Sequence, residues 1–142
     1  MKRFLTLALI LTLFLVSSFS FSTSPSYAYS QSDLEKLLET NICIKCDLSH
    51  ANLSGANLKY AYLNGANLKY ADLSGANLKY ADLSGANLED TNLEGADLEG
   101  ANLKDADLLG ANLEDANLER ADLKGAYIRS ANIENTHTLD AK

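Results

Sequence analysis

Residues 51–60 read Ala51-Asn52-Leu53-Ser54-Gly55-Ala56-Asn57-Leu58-Lys59-Tyr60, a five-residue phrase, Ala-Asn/Asp-Leu-x-x, stated twice. It runs without interruption from Cys46 to Asn135, with Leu at every fifth residue from Leu48 to Leu123, then Ile128 and Ile133, 18 repeats in one phase. A period of five matches neither the 3.6 of a helix nor the 2.0 of a half-buried strand. On a helix each step of five turns through about 500°, so the leucines would spiral around the axis. On a single strand they would alternate faces. A chain that turns after every five residues instead aims each Leu at one common axis. Four such steps close a square coil of twenty residues, and coils then stack at roughly the 4.8 Å spacing of a sheet.

This arithmetic sorts the core into four columns. Leu48, Leu68, Leu88, Leu108 and Ile128 form one, and Leu53, Leu73, Leu93, Leu113 and Ile133 the next. Leu58, Leu78, Leu98 and Leu118 form the third; Leu63, Leu83, Leu103 and Leu123 form the fourth. Two residues before each central residue stands Ala, except at Cys46 and Thr91, as a narrow interior requires. The residue just before it is Asn or Asp except at Tyr62 and Tyr127, and these side chains are expected to hydrogen-bond to turn backbone. Two residues after it Gly is frequent, which suits a tight turn.

The unbroken run of Ala-Asn/Asp-Leu-x-x resembles the pentapeptide-repeat family, over about residues 41–136. The resemblance implies an all-β solenoid, a right-handed quadrilateral β-helix. A disordered low-complexity segment would not keep the apolar position so strictly.

Outside the array, the N-terminus reads as an export signal, residues 1–28. Lys2 and Arg3 precede an apolar run from Phe4 to Val16, and Ser26-Tyr27-Ala28 offers a small-x-small cleavage site. Cleavage after Ala28 leaves 10 basic and 19 acidic residues, a formal charge of −9 against −7 for the whole chain. Residues 29–45 form an N-terminal segment. Within it Ser32 and Glu35 have capping-box spacing, and Leu34, Leu37 and Leu38 give a short helix at about 32–40 one apolar face. Such a helix is marginal alone and is expected to cap the first coil of the array, 46–135. Residues 136–142 form the C-terminal tail, in which Thr136 continues the phase and Thr138 to Lys142 read as polar and loose.

Cys43 and Cys46 both fall in the inward register, Cys43 five before Leu48 and Cys46 in an Ala position. In an oxidising compartment they are expected to pair. A redox-responsive disulfide is the alternative. A thioredoxin-like Cys-x-x-Cys would need a βαβ setting, and a zinc site more ligands than His50 and His137 can add. No cofactor or metal is expected.

The acidic balance argues against a nucleic-acid binder, and no catalytic constellation is present. The leading function is a non-catalytic structural or protein-interaction module, with no membrane contact after signal cleavage. Tyr60, Tyr70 and Tyr80 are its candidate interaction surface, and the last coil is a candidate surface for an end-to-end homodimer. An export signal with a short capping helix and Cys-Asp-Leu-Ser-x-Ala-Asn-Leu resembles the exported, lumenal or periplasmic branch of the family, known from cyanobacteria. The resemblance implies residence in the thylakoid lumen or periplasm, and no assigned biochemical role. Two other functions stand beside this one: inhibition of a topoisomerase such as gyrase by DNA mimicry, as some acidic family members do in the cytosol, and lumenal redox regulation through Cys43 and Cys46.

Overall fold

The computed structural model describes residues 29–142. The expected signal peptide, residues 1–28, lies outside the described residues.

From Ile42 onward the chain pairs with itself at a constant offset. Parallel bridges join Ile42 to Tyr62, Asp47 to Asn67, Asn52 to Asp72, and so on without a break to Asn117 and His137, always twenty residues apart. Four five-residue sides therefore make one coil. The bridges stay isolated and do not extend into strands. The reason is geometric, since each side holds only a few residues before the backbone turns again.

The turns are regular. The residue two after each central one has positive φ in every repeat, whether Gly (Gly85, 63°) or not (Tyr60, 61°; Arg120, 57°). The following N–H closes an i to i+3 turn, as from Ala81 to the Leu78 carbonyl at 3.0 Å. A positive φ confined to the third residue is the sign pattern of a type II turn. Glycine adopts it without strain, whereas L-residues incur a cost of about 1–2 kcal/mol.

The repeat 81–85 shows how the backbone polar groups are satisfied. Ala81 N–H closes the turn, Asp82 N–H donates to Ala61 in the preceding coil, and Leu83 and Gly85 N–H donate to Asn102 and Lys104 in the next. The fifth N–H, that of Ser84, donates to Asp82 Oδ1 at 3.1 Å. All five donors are thus used, as buried backbone demands. The fifth bond explains the Asn/Asp position. Every Asn or Asp there makes it, including Asn52 to Ser54, Asn92 to Glu94 and Asn132 to Glu134.

Inside, the central leucines from Leu48 to Leu118 and the alanines between them form one buried cluster. Thr91, in an Ala position, is also buried, and its hydroxyl donates to the Leu68 carbonyl at 2.8 Å. The last coil departs from the expected core. Leu123 is only partly buried, and Ile128 and Ile133 are 49% and 58% exposed. Among the described residues no coil covers them, and with Leu113 and Leu118 they line an apolar hollow of about 220 Å³.

The first coil is closed by a helix, α1, Gln31–Thr40. Its N-cap is Ser30, whose Oγ accepts from Asp33 N–H at 3.3 Å, and not the expected Ser32; Glu35 instead accepts from Gln31 Nε2. Asn41, at φ 59°, ends the helix in the left-handed conformation. Leu37 is buried and Leu34 partly so, but Leu38 is 61% exposed, because the helix touches the coil along a narrow line. Polar bonds complete the seat: Ser30 N–H to the Asp47 carbonyl, Asp47 N–H to Asp33 Oδ2, and Asn41 Nδ2 to the Lys59 carbonyl. At the other end, residues 138–142 are not the loose segment expected. Thr136 Oγ1 donates to the Leu113 carbonyl, His137 N–H to Ala116, and Lys142 N–H to Ala121, so the register continues.

Candidate interaction surface

Because inward side chains fill the core and backbone groups bond to neighbouring coils, chemistry is left to the outward positions. Three outward sets exist: the Asn/Asp ladder, the residue after each central one, and the corner residue with positive φ.

The ladder runs between coils as well as within them. Asn102 Nδ2 donates to Asp82 Oδ1 at 2.9 Å, Asn117 to Asp97 at 3.1 Å and Asn132 to Asn112 at 3.0 Å. No Asp in this position stands directly above another Asp. An amide therefore bridges where two carboxylates would repel. These bonds favour the ionised carboxylate. Asp47 is held below the usual Asp range chiefly by the Ser49 hydroxyl, and Asp72 by Ser74.

The next set forms ion pairs between coils. Lys69 meets Glu89 at 2.7 Å, and Lys104 meets Asp122 at 3.0 Å. Lys79 lies 3.0 Å from both Asp97 and Glu99, and Arg120 reaches Glu99 at 2.9 Å. Hydrogen bonding to Glu99, then to Asp97, raises the Lys79 pKa, and Lys79 in turn lowers that of Glu99. The column Glu94, Glu114, Glu134 has no such cations. Asn132 Nδ2 reaches Glu114 there at 3.2 Å. The charge is uneven along the stack: residues 89–142 hold 13 acidic and 5 basic residues, residues 29–88 hold 6 and 5.

At the corners the tyrosines take the places the register assigns. The Tyr60 and Tyr80 rings stack at 5.4 Å, with Lys59 Nζ 5.1 Å from the Tyr60 centroid. Tyr70, on the diagonally opposite corner, stacks on His50 at 4.9 Å, with Lys69 Nζ 4.9 Å above its ring. In the sequence His50 was weighed only as a zinc ligand, although it lies twenty residues before Tyr70 and its place in the stack was readable. The Tyr80 ring lies over Gly100, where a Cβ would come within 2.5 Å of Tyr80 Cε1. The sequence reading noted Tyr62 only as a break in the Asn/Asp pattern and passed over Ile42 and Ile44; all three are exposed on the wall beside Tyr60. Their signal was the loss of Asn/Asp at positions 42 and 62.

Cys43 and Cys46 are buried and joined by a disulfide, with Cα atoms 5.3 Å apart. The Asp33 carbonyl oxygen rests 3.2 Å from Cys43 Sγ, so the bridge sits where α1 meets the first coil. Among the described residues no group of three or more His, Cys, Asp or Glu side chains is placed to hold a metal ion. No helix among them is long and apolar enough to cross a membrane.

Comparison with known proteins places this geometry. A search of curated proteins finds no match. Among solved structures the chain is similar to HetL, a pentapeptide repeat protein involved in heterocyst differentiation regulation from the cyanobacterium Nostoc sp. strain PCC 7120. The two share 40% identity at a TM-score of 0.65, over 68% of this chain and 46% of HetL. The chain thus spans less than half the length of that relative. It is also similar to the pentapeptide repeat protein Rfr23 from the cyanobacterium Cyanothece 51142, at 34% identity and a TM-score of 0.61, over 78% of this chain and 92% of Rfr23. The family pattern described as pentapeptide repeats matches in eight copies across residues 46–85, 81–120 and 106–137. The twenty-residue coil, the Asn/Asp turn bond and these matches agree: the chain belongs to the pentapeptide-repeat family.

Proposed function

We propose that this chain is a right-handed quadrilateral β-helix serving as a non-catalytic protein-interaction module outside the cytosol. The observation that carries the reading is the division of labour in each repeat. Ala and Leu fill the core, the backbone and the Asn/Asp side chain satisfy the turn, and only the outward residues differ from coil to coil. Specificity on such a scaffold resides in the pattern of surface side chains, as in other repeat arrays.

Two features favour an exported site of action, in the thylakoid lumen or periplasm. The first 28 residues have the charged, apolar and small-residue segments of a signal peptide. The Cys43–Cys46 disulfide is of a kind that persists in oxidising compartments, which supports the reading. In structural terms the bridge closes a turn within the first coil, directly against the Asp33 carbonyl of α1.

The test is site-specific photo-crosslinking in the native host, with the probe at outward positions and fractionation of the products. Defined adducts with a lumenal or periplasmic protein are expected. A chain confined to the cytosol, or one that forms no adduct from any outward position, would overturn the proposal.

A further inference from the structure

We infer that the wall carrying residues 42–44 and 62–64, with the Tyr60–Tyr80 corner beside it, is the docking surface for a protein segment that presents apolar side chains flanked by carboxylates. This rests on the interaction-module reading and gives that interaction a place and a chemistry.

At this wall the sequence gives up a bond that nearly all the other repeats keep. At the Asn/Asp position the side-chain oxygen accepts the fifth N–H of the repeat, a bond of about 1 kcal/mol net. Ile42 and Tyr62 forgo it, and they are directly bridged neighbours in one column. Farther along the same column the pattern returns as Asp82, Asn102 and Asp122. Tyr127 departs too, but stands alone in a different column.

Ile42, Ile44 and Tyr62 are 40%, 46% and 54% exposed, and the stacked Tyr60 and Tyr80 rings flank them with 58% and 44% of their surface in solvent. A contiguous apolar patch with tyrosines has the composition of an interface centre. The coil-edge donors beneath are not open to a partner strand: Ile42 N–H donates to Thr40 Oγ1. Cys43 N–H already donates to Tyr62, and Leu63 N–H to Asp82. Recognition is therefore by side chains, not by strand addition.

Charge selects the partner. On one side the Lys45 side chain runs over the Gly65 corner, its Cγ 3.2 Å from where a Cβ would lie. On the other, the Lys59 ammonium lies beside Tyr60. Neither lysine is ion-paired with a described residue, unlike Lys69, Lys79 and Lys104. The nearby carboxylates are committed. Asp82 Oδ1 accepts from Ser84 N–H, Ser84 Oγ and Asn102 Nδ2, and Glu99 is held by Lys79 and Arg120. In a chain with an excess of acid, the open cations flank the apolar patch, and a carboxylate-bearing partner complements them.

The experiment screens a random peptide display library against the full chain purified from an exporting host. The Ile42→Asn/Tyr62→Asn double variant is the counter-target. Those substitutions restore the repeat's own side chain, so the variant should melt no lower than the wild type. Peptides combining Leu, Phe or Trp with Asp or Glu should enrich on the wild type. A synthetic copy of an enriched peptide should bind the variant at least tenfold more weakly, and Lys45→Gln/Lys59→Gln several-fold more weakly at low salt. No enrichment, or equal binding to wild type and double variant, would overturn the assignment. So would sedimentation showing that the wild type dimerises and the double variant does not, since the wall would then be a self-interface. Peptides that bind both proteins alike would remove this surface and leave the broader module reading intact. Failure of that reading shows separately, as absence of adducts in the native host.

Discussion

Replacing Leu88 with Ala tests the stacked core most sharply. Leu88 is fully buried, in one column with Leu68 and Leu108. Neighbours held by coil-to-coil hydrogen bonds cannot close the gap, so the cavity cost adds to the lost transfer energy, about 2–5 kcal/mol together. The matched control is Ile133→Ala. Ile133 is the same kind of central residue but 58% exposed, which leaves roughly 1 kcal/mol or less to lose. For a folded part of this size about 3 kcal/mol lowers Tm by roughly 10 °C. Urea unfolding followed by far-UV circular dichroism separates the two variants. Leu88→Ala should shift the midpoint strongly, whereas Ile133→Ala should change it little. In a stack, weakening the middle also uncouples the ends, so the transition of Leu88→Ala should broaden as the apparent m falls. A cost below about 1 kcal/mol at Leu88, or equal costs at both sites, would refute the twenty-residue register.

Other outcomes follow from the outward positions. Asn102 stands between Asp82 and Asp122 in one column; Asn102→Asp would stack three carboxylates and should cost about 1–3 kcal/mol at neutral pH. Salt and acidification below the Asp range should recover part of that, and a pH-independent loss in thermal melts would contradict the charge argument. Gly100→Ala should destabilise more than Gly75→Ala: both corners have positive φ, but only Gly100 lies under a ring, that of Tyr80. In a Tyr80→Ala background the two should become equal by thermal denaturation. The lowered pKa of Asp72, caused first by the Ser74 side chain and then by its N–H, adds stability above the unfolded Asp value of about 3.9. That stability is lost as pH falls through the lower folded value. Asp72→Asn keeps the acceptor and removes the titration, so between neutral pH and pH 2 it should lose less stability than the wild type. An equal loss in acid titrations followed by circular dichroism would count against the assignment.

The interior was legible in the sequence because a neighbour in the stack is a neighbour by arithmetic. A residue twenty positions on is in contact, so the columns, the Ala positions and the turn role of Asn and Asp could be read before any coordinates. The same arithmetic located Tyr60 on Tyr80 and would have located His50 under Tyr70. It fails at the ends. Whether Ile128 and Ile133 are buried depends on what lies beyond them, and nothing in a five-residue phrase says so. At α1 the register offers no guide either. Ser30 caps the helix because the chain leaves the Asp47 carbonyl one residue pair earlier than the Ser32–Glu35 spacing implied. The extent of the last coil was misread because Thr138 and Leu139 do not look like the repeat. Yet Arg120 and Leu123 N–H still donate to Leu139 and Lys142. Backbone pairing with the coil below holds those residues although their own side chains are poorly covered. The candidate docking wall was hidden for a different reason. Each departure from Asn/Asp looks like noise singly, and only the offset of twenty puts Ile42 beside Tyr62.

The most direct test of an exported, disulfide-containing interaction module is the intact mass of the protein recovered from its native host, with thiol labelling before and after reduction. A chain that starts at Tyr29, resists labelling until reduced, and then takes up label at Cys43 and Cys46 is the expected result. A full-length chain with both thiols free as isolated would contradict the export reading and return the protein to the cytosol.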